Sequence, residues 1–151
     1  MNANEYLYDL EAIKGLLPHR YPFLFVDRIM SIDKEEKKII GIKNLSQNEE
    51  FFQGHFPEKA VMPQTFVLEA MAQCGGILIL SQMENPEKMN VFFTSITDCE
   101  FFDEARPGDQ IRFEMIMIRF KLTICQMNGF AYINDKLICS AKIAATIRPN
   151  E

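Results

Sequence analysis

The chain has 151 residues, 48% hydrophobic and 25% charged, with a net charge of −5, which suits one globular domain whose core needs no covalent staple. No run of four or more Lys/Arg occurs, so nucleic acid is excluded as a first expectation, because its binding needs a basic surface. The four cysteines form no CxxC pair and there are two histidines, which argues against a zinc site and fits a reducing compartment.

In chain order, residues 1–10 are polar and acidic, with no basic start followed by an apolar run. No signal peptide is expected there, and the chain reads as cytoplasmic. Asp9 is placed to cap a short helix through Leu17, which Pro18 stops. Residues 23–30 and 39–45 are apolar and rich in β-formers. They flank the mixed charge run 33–38, the pattern of an antiparallel strand pair around a solvated turn.

Residues 64–82 form the one long helix candidate. Phe66, Val67, Ala70, Met71, Cys74, Ile77 and Leu78 recur at helical spacing, and Leu68, Ala72 and Ile79 extend the apolar surface nearly all round, so the helix should be buried. Gly75-Gly76 is unfavourable inside a helix unless another backbone comes close there. Gln64, Glu69 and Gln73 interrupt residues 60–80, too polar a centre for a membrane span.

The rest reads as strands. Ile111, Phe113, Met115 and Met117 alternate with Arg112 and Glu114, after a turn at Pro107-Gly108. Asn134-Asp135 divides two further apolar stretches, 123–133 and 136–147. Two early strands, one central helix and about four late strands make an α+β architecture, a curved antiparallel sheet wrapped around the helix.

Two residues stand out chemically. His55 lies in Phe51-Phe52-Gln53-Gly54-His55-Phe56-Pro57, where Gly54 and Pro57 suggest a fixed, irregular backbone. A lone His among aromatics is more often structural than catalytic. Glu69 lies inside the apolar helix with Gln73 four residues on, sharing its face with Thr65, Ala72 and Gly76. A carboxylate there either reaches solvent at the helix edge or, buried, has a raised pKa suited to a general acid. Pro63 precedes the helix, so the backbone N–H groups near Gln64 and Thr65 lack helical partners and can hold a developing oxyanion. A base, an acid and an oxyanion site are the requirements of a β-elimination beside a thioester, one possibility among several.

Taken together, Leu17-Pro18-His19-Arg20-Tyr21-Pro22-Phe23-Leu24, Val26-Asp27-Arg28, Gly54-His55-Phe56-Pro57, Val61-Met62-Pro63 and Leu68-Glu69-Ala70-Met71-Ala72-Gln73 resemble the 3-hydroxyacyl-[acyl-carrier-protein] dehydratases of the FabZ type. The resemblance continues through Arg106-Pro107-Gly108-Asp109-Gln110 and Lys136-Leu137. It implies a hotdog fold over residues 1–151 and a homodimer with two shared active sites, often built into a trimer of dimers. His55 would take the C2 proton and Glu69 of the neighbouring chain would protonate the 3-hydroxyl. Gln64, Thr65, Gln73 and Gly54 would line the substrate and oxyanion site. The partner would be acyl carrier protein bearing the acyl thioester, with no metal and no organic cofactor. His19, though inside a family motif, reads as structural.

The chain departs from the family at Gln64, where Gly is usual, and at Thr65, Ala60 and Asn134-Asp135. If the backbone at Gln64 needed positive φ, Gln would be strained. Two other readings compete with dehydration: a hotdog thioesterase, and a dehydratase-like protein that binds acyl chains without turnover. Lys88, Arg119 and Lys121 are the candidates for docking an acidic carrier.

Overall fold

The computed structural model describes residues 5–151. The N-terminal stretch read above as free of a targeting signal therefore lies partly outside the described residues. The elements are α1 (Leu10–Lys14), β1 (Arg28–Asp33), β2 (Lys38–Asn44), a 3-10 turn (Glu50–Gln53), α2 (Gln64–Leu80), a second 3-10 turn (Pro86–Lys88), β3 (Met89–Phe101), β4 (Gln110–Lys121), β5 (Ile124–Ile133) and β6 (Lys136–Pro149).

Six strands make one sheet in the order β1-β2-β4-β5-β6-β3, with every neighbouring pair antiparallel. Helix α2 touches β2, β3, β4, β5 and β6, the hotdog arrangement of one long helix against a single sheet. Its burial follows from its composition. Met71, Cys74, Ile77 and Leu78 are fully buried, and they meet Phe113, Met115 and Ile143 in the core.

Glycine accounts for the closest approaches. A Cβ at Gly75 would stand 2.6 Å from Met127 Sδ, and one at Gly129 would stand 2.7 Å from Met71 Cε. The close approach expected at Gly75 is therefore real, but the neighbour is a methionine side chain and not a backbone. At Gly76 a Cβ would find nothing nearer than Leu17 Cδ2 at 3.8 Å.

Three stretches differ from the sequence reading, each for a local reason. Helix α1 ends at Lys14, capped by Gly15, and the Arg20 guanidinium occupies the carbonyls of Lys14 and Leu17. Strand β1 starts at Arg28 and not at Phe23, because Phe23 O and Phe25 N are bonded to the Gln73 side chain and not to a neighbouring strand. Strand β3, which sequence periodicity did not mark, breaks its own alternation. Its pairing with β6 slips between Phe93 and Ser95 and again between Thr97 and Glu100, and residues 92–98 are all exposed. Each slip inverts the phase of the side chains, so a period-2 search cannot follow it.

The expected turns form as read. Asp33 Oδ1 accepts the N–H groups of Glu35 and Glu36, and Asn134 and Asp135 both take positive φ, the geometry of a type I′ hairpin turn.

Candidate active site

Glu69 projects from the middle of α2 into a cavity of about 180 Å³. Apolar groups dominate the walls: Leu17, Ala72, Ile79, Val91, Met115 and Met127, together with Phe92 and Phe93 of β3. Both phenylalanines are also partly exposed, at 51% and 40%, so the cavity abuts the edge of the sheet. Gly76 also lines it, and its missing side chain keeps that wall open.

Gln73 holds Glu69. It sits one turn further along α2 and is 3% exposed. Its Nε2 donates to Glu69 Oε1 at 3.0 Å and to Phe23 O at 2.8 Å, while its Oε1 accepts from Phe25 N at 2.8 Å. Both amide hydrogens are thus engaged. Gln73 lines the cavity, but it orients the carboxyl group and ties the 23–25 segment to the helix.

His19 lies four residues before that segment. Its Nε2 lies 3.7 Å from Glu69 Oε1, and its Nδ1 is buried without a hydrogen-bond partner among the described residues. Burial is the main effect that pulls its pKa down from 6.5. The nearby Glu69 carboxylate opposes this, and the Arg20 cation adds to it. The sequence reading treated His19 as structural, yet it lines the cavity beside Glu69. Its chemical position depends on a tertiary contact across fifty residues, for which spacing gives no signal.

His55 is positioned separately. It follows the 3-10 turn Glu50–Gln53, where its N–H bonds Phe51 O and its carbonyl accepts from Val61 N. Its ring stacks on Phe56, with centroids 4.0 Å apart. Nδ1 lies 2.7 Å from Val61 O. A carbonyl can only accept, so Nδ1 carries a proton, and in the neutral ring the lone pair is then on Nε2. That is the form a general base needs. Within one chain His55 does not line the Glu69 cavity.

Gln64 and Thr65 open α2 and are exposed. No side chain caps the helix start, where Pro63 is the N-cap. Gln64 is not among the residues of positive φ, so its backbone carries none of the strain that the loss of Gly raised. Gly54 ends the 3-10 turn, with nothing within 4 Å of where a Cβ would be. Of the candidate docking cations, Lys88 closes the second 3-10 turn. Arg119 and Lys121 lie at the far end of β4 beside exposed Ile118, Phe120 and Leu122.

Residues 17–142 match the family described as FabA-like domain. The chain is 45% identical over 137 residues to the 3-hydroxyacyl-[acyl-carrier-protein] dehydratase FabZ of Anoxybacillus flavithermus, covering 91% of this chain and 95% of that protein. It is 43% identical over 141 residues to the bifunctional enzyme LpxC/FabZ of Chlorobaculum tepidum. That match covers 93% of this chain but spans 30% of the larger protein. Among solved structures, the dehydratase heterocomplex ApeI:P from Xenorhabdus doucetiae shares the fold, with a TM-score of 0.77 at 12% identity over 92% of this chain and 91% of that one.

Proposed function

The chain belongs to the FabA-like domain family, and from that premise we infer that it removes water from 3-hydroxyacyl groups borne by acyl carrier protein, yielding the trans-2-enoyl thioester in fatty acid synthesis. The observation that carries the reading is Glu69, a carboxyl group fixed by Gln73 in an apolar cavity of acyl-chain character.

Nε2 of His55 takes the proton from C2. The electron pair of that C–H bond becomes the C2=C3 double bond as the C3–O bond breaks. Glu69 gives its proton to the departing hydroxyl, which leaves as water. The thioester oxygen, which gains negative charge on the way, rests against the unpartnered N–H groups at the start of α2 near Gln64 and Thr65.

The reading requires two chains. His55 is absent from the Glu69 cavity of its own chain. The cavity abuts β3, an edge strand bearing exposed Phe92, Phe93, Ile96 and Phe101. An exposed apolar edge is a template for pairing with another chain. Pairing of β3 with its counterpart is the contact by which His55 of one protomer is proposed to meet Glu69 of its partner. Three such dimers in a hexamer are compatible with the same site. A cytoplasmic location goes with this reading; no helix of the described residues is long and apolar enough to cross a membrane.

The deciding experiment is the reverse reaction. The chain is incubated with an enoyl thioester, and mass spectrometry follows the gain of one water. Release of free thiol instead identifies a thioesterase. Binding without either product identifies an acyl-binding protein, and either result overturns the dehydratase reading.

A further inference from the structure

We propose that His19 is a positioning residue for the proton of Glu69, directing it to Oε2, the carboxyl oxygen left free to face substrate. The inference rests on the reading of Glu69 as the proton donor.

Oε1 of Glu69 is already engaged. It accepts a hydrogen bond from Gln73 Nε2 at 3.0 Å, and His19 Nε2 stands 3.7 Å away on the same oxygen. Oε2 takes part in no hydrogen bond among the described residues. A protonated carboxyl has one O–H to place. If both neighbours of Oε1 are donors, a proton on Oε1 would meet two N–H groups head on, whereas a proton on Oε2 leaves Oε1 to accept from both.

The Gln73 amide is a donor by necessity, because its oxygen is committed to Phe25 N. For His19 the tautomer decides. Its Nδ1 is buried with no partner among the described residues. An orphaned buried N–H is the rarer and costlier state, and an unused acceptor is better tolerated. The hydrogen therefore belongs on Nε2, aimed at Glu69. Burial favours the neutral ring, so this donor brings no full charge to compete for the carboxyl proton.

The imidazole is held where this requires. Arg20, its sequence neighbour, clamps the backbone by donating to the carbonyls of Leu17, His19 and Lys14. Gln73 pins residues 23 and 25 on the other side. The 3.7 Å separation exceeds a hydrogen bond. Such contacts in ligand-free sites commonly tighten when substrate binds.

The test compares His19→Phe and His19→Gln with the wild type in the hydration of crotonyl-coenzyme A. Phe keeps a ring against Phe23 but removes the donor. Gln returns an N–H near the place of Nε2. The expected result is a kcat roughly 10- to 100-fold lower for His19→Phe, smaller than the roughly 10²–10⁴-fold of a lost acid or base because Glu69 itself remains, with KM within about twofold. His19→Gln should recover most of that loss. A double variant separates this effect from misfolding. In a Glu69→Gln background His19→Phe should cost nothing further, because it acts through Glu69. A His19→Phe enzyme with wild-type kcat, a Gln variant as poor as Phe, or a further drop in the Glu69→Gln background each overturns the proposal. A wild-type chain with no hydration activity overturns the dehydratase reading and this one with it. An active wild type with an indifferent His19 overturns this one alone.

Discussion

Replacing Gln73 with Leu separates what this residue does for the fold from what it does for the site. Leu nearly matches Gln in size, so no large cavity opens, and the change is one of hydrogen bonding. Three bonds vanish. One is to Glu69, which retains access to the cavity. The other two leave Phe25 N–H and Phe23 C=O without their partner, and Phe25 is 2% exposed. An unsatisfied buried group costs about 1–3 kcal/mol; that applies to Phe25 N–H, whereas Phe23 is 43% exposed and its carbonyl can turn to water, so the change should cost about 1–3 kcal/mol. For a chain of this size each kcal/mol moves Tm by about 2–4 °C. Thermal unfolding followed by circular dichroism should therefore show a drop of roughly 2–12 °C. Gln110→Leu, which breaks an exposed bond to Asn44, is the control and should move Tm by less than ~2 °C. If the two variants melt together, Gln73 does not anchor residues 23–25 and the account of how the site is held is wrong.

His55→Ala and Glu69→Gln should each lower turnover by roughly 10²–10⁴-fold with Tm nearly unchanged, and mixing the two variants under subunit exchange should restore part of the activity. No recovery after verified exchange would refute a site shared between chains. Gln64→Gly should leave the fold intact, since Gln64 is exposed and free of positive φ, and should raise hydration of longer enoyl thioesters relative to crotonyl. Unchanged preference would show that the Gln side chain stands clear of the acyl path. His19 has its pKa lowered by burial from 6.5, so below pH 6.5 the unfolded chain takes up protons that the native chain refuses. The stability tied to neutral His19 is present above that pH and is lost as pH falls through the lower folded value. Urea unfolding should show this acid-side loss in the wild type and less of it in His19→Phe; equal slopes would count against it.

The central helix was legible because its apolar residues repeat at helical spacing on nearly every side and its ends coincide with Pro63 and a polar stretch. The hairpins were legible because turn chemistry is local: Asp33, Asn134 and Asp135 carry their conformations with them. Residues 23–27 were misassigned to a strand because their composition favours β structure, while the partner of their backbone is an amide from a helix that follows some fifty residues later. Glu69 drew attention as a carboxyl in apolar surroundings and His55 through its flanking Gly and Pro. His19 offered no comparable local signal. Its significance is its 3.7 Å distance to Glu69, a relation that exists only once residues 17–25 lie against α2.

The order of strands in the sheet also sets a timetable for synthesis. Strand β3 is made before β4, yet among the described residues of the chain its sole sheet neighbour is β6. From the end of β3 to the end of β6 the ribosome adds roughly 50 residues, which takes about 2–10 s at ordinary elongation rates. Throughout that interval Phe92, Phe93, Ile96 and Phe101 have no strand to lie beside. The nascent chain is then most open to aggregation, and a chaperone that recognises extended apolar segments has its best opportunity there. Stop codons placed just before Lys136 would make that interval permanent. Such chains should be found in inclusion bodies even though the helix α2 and five of the six strands have already been made.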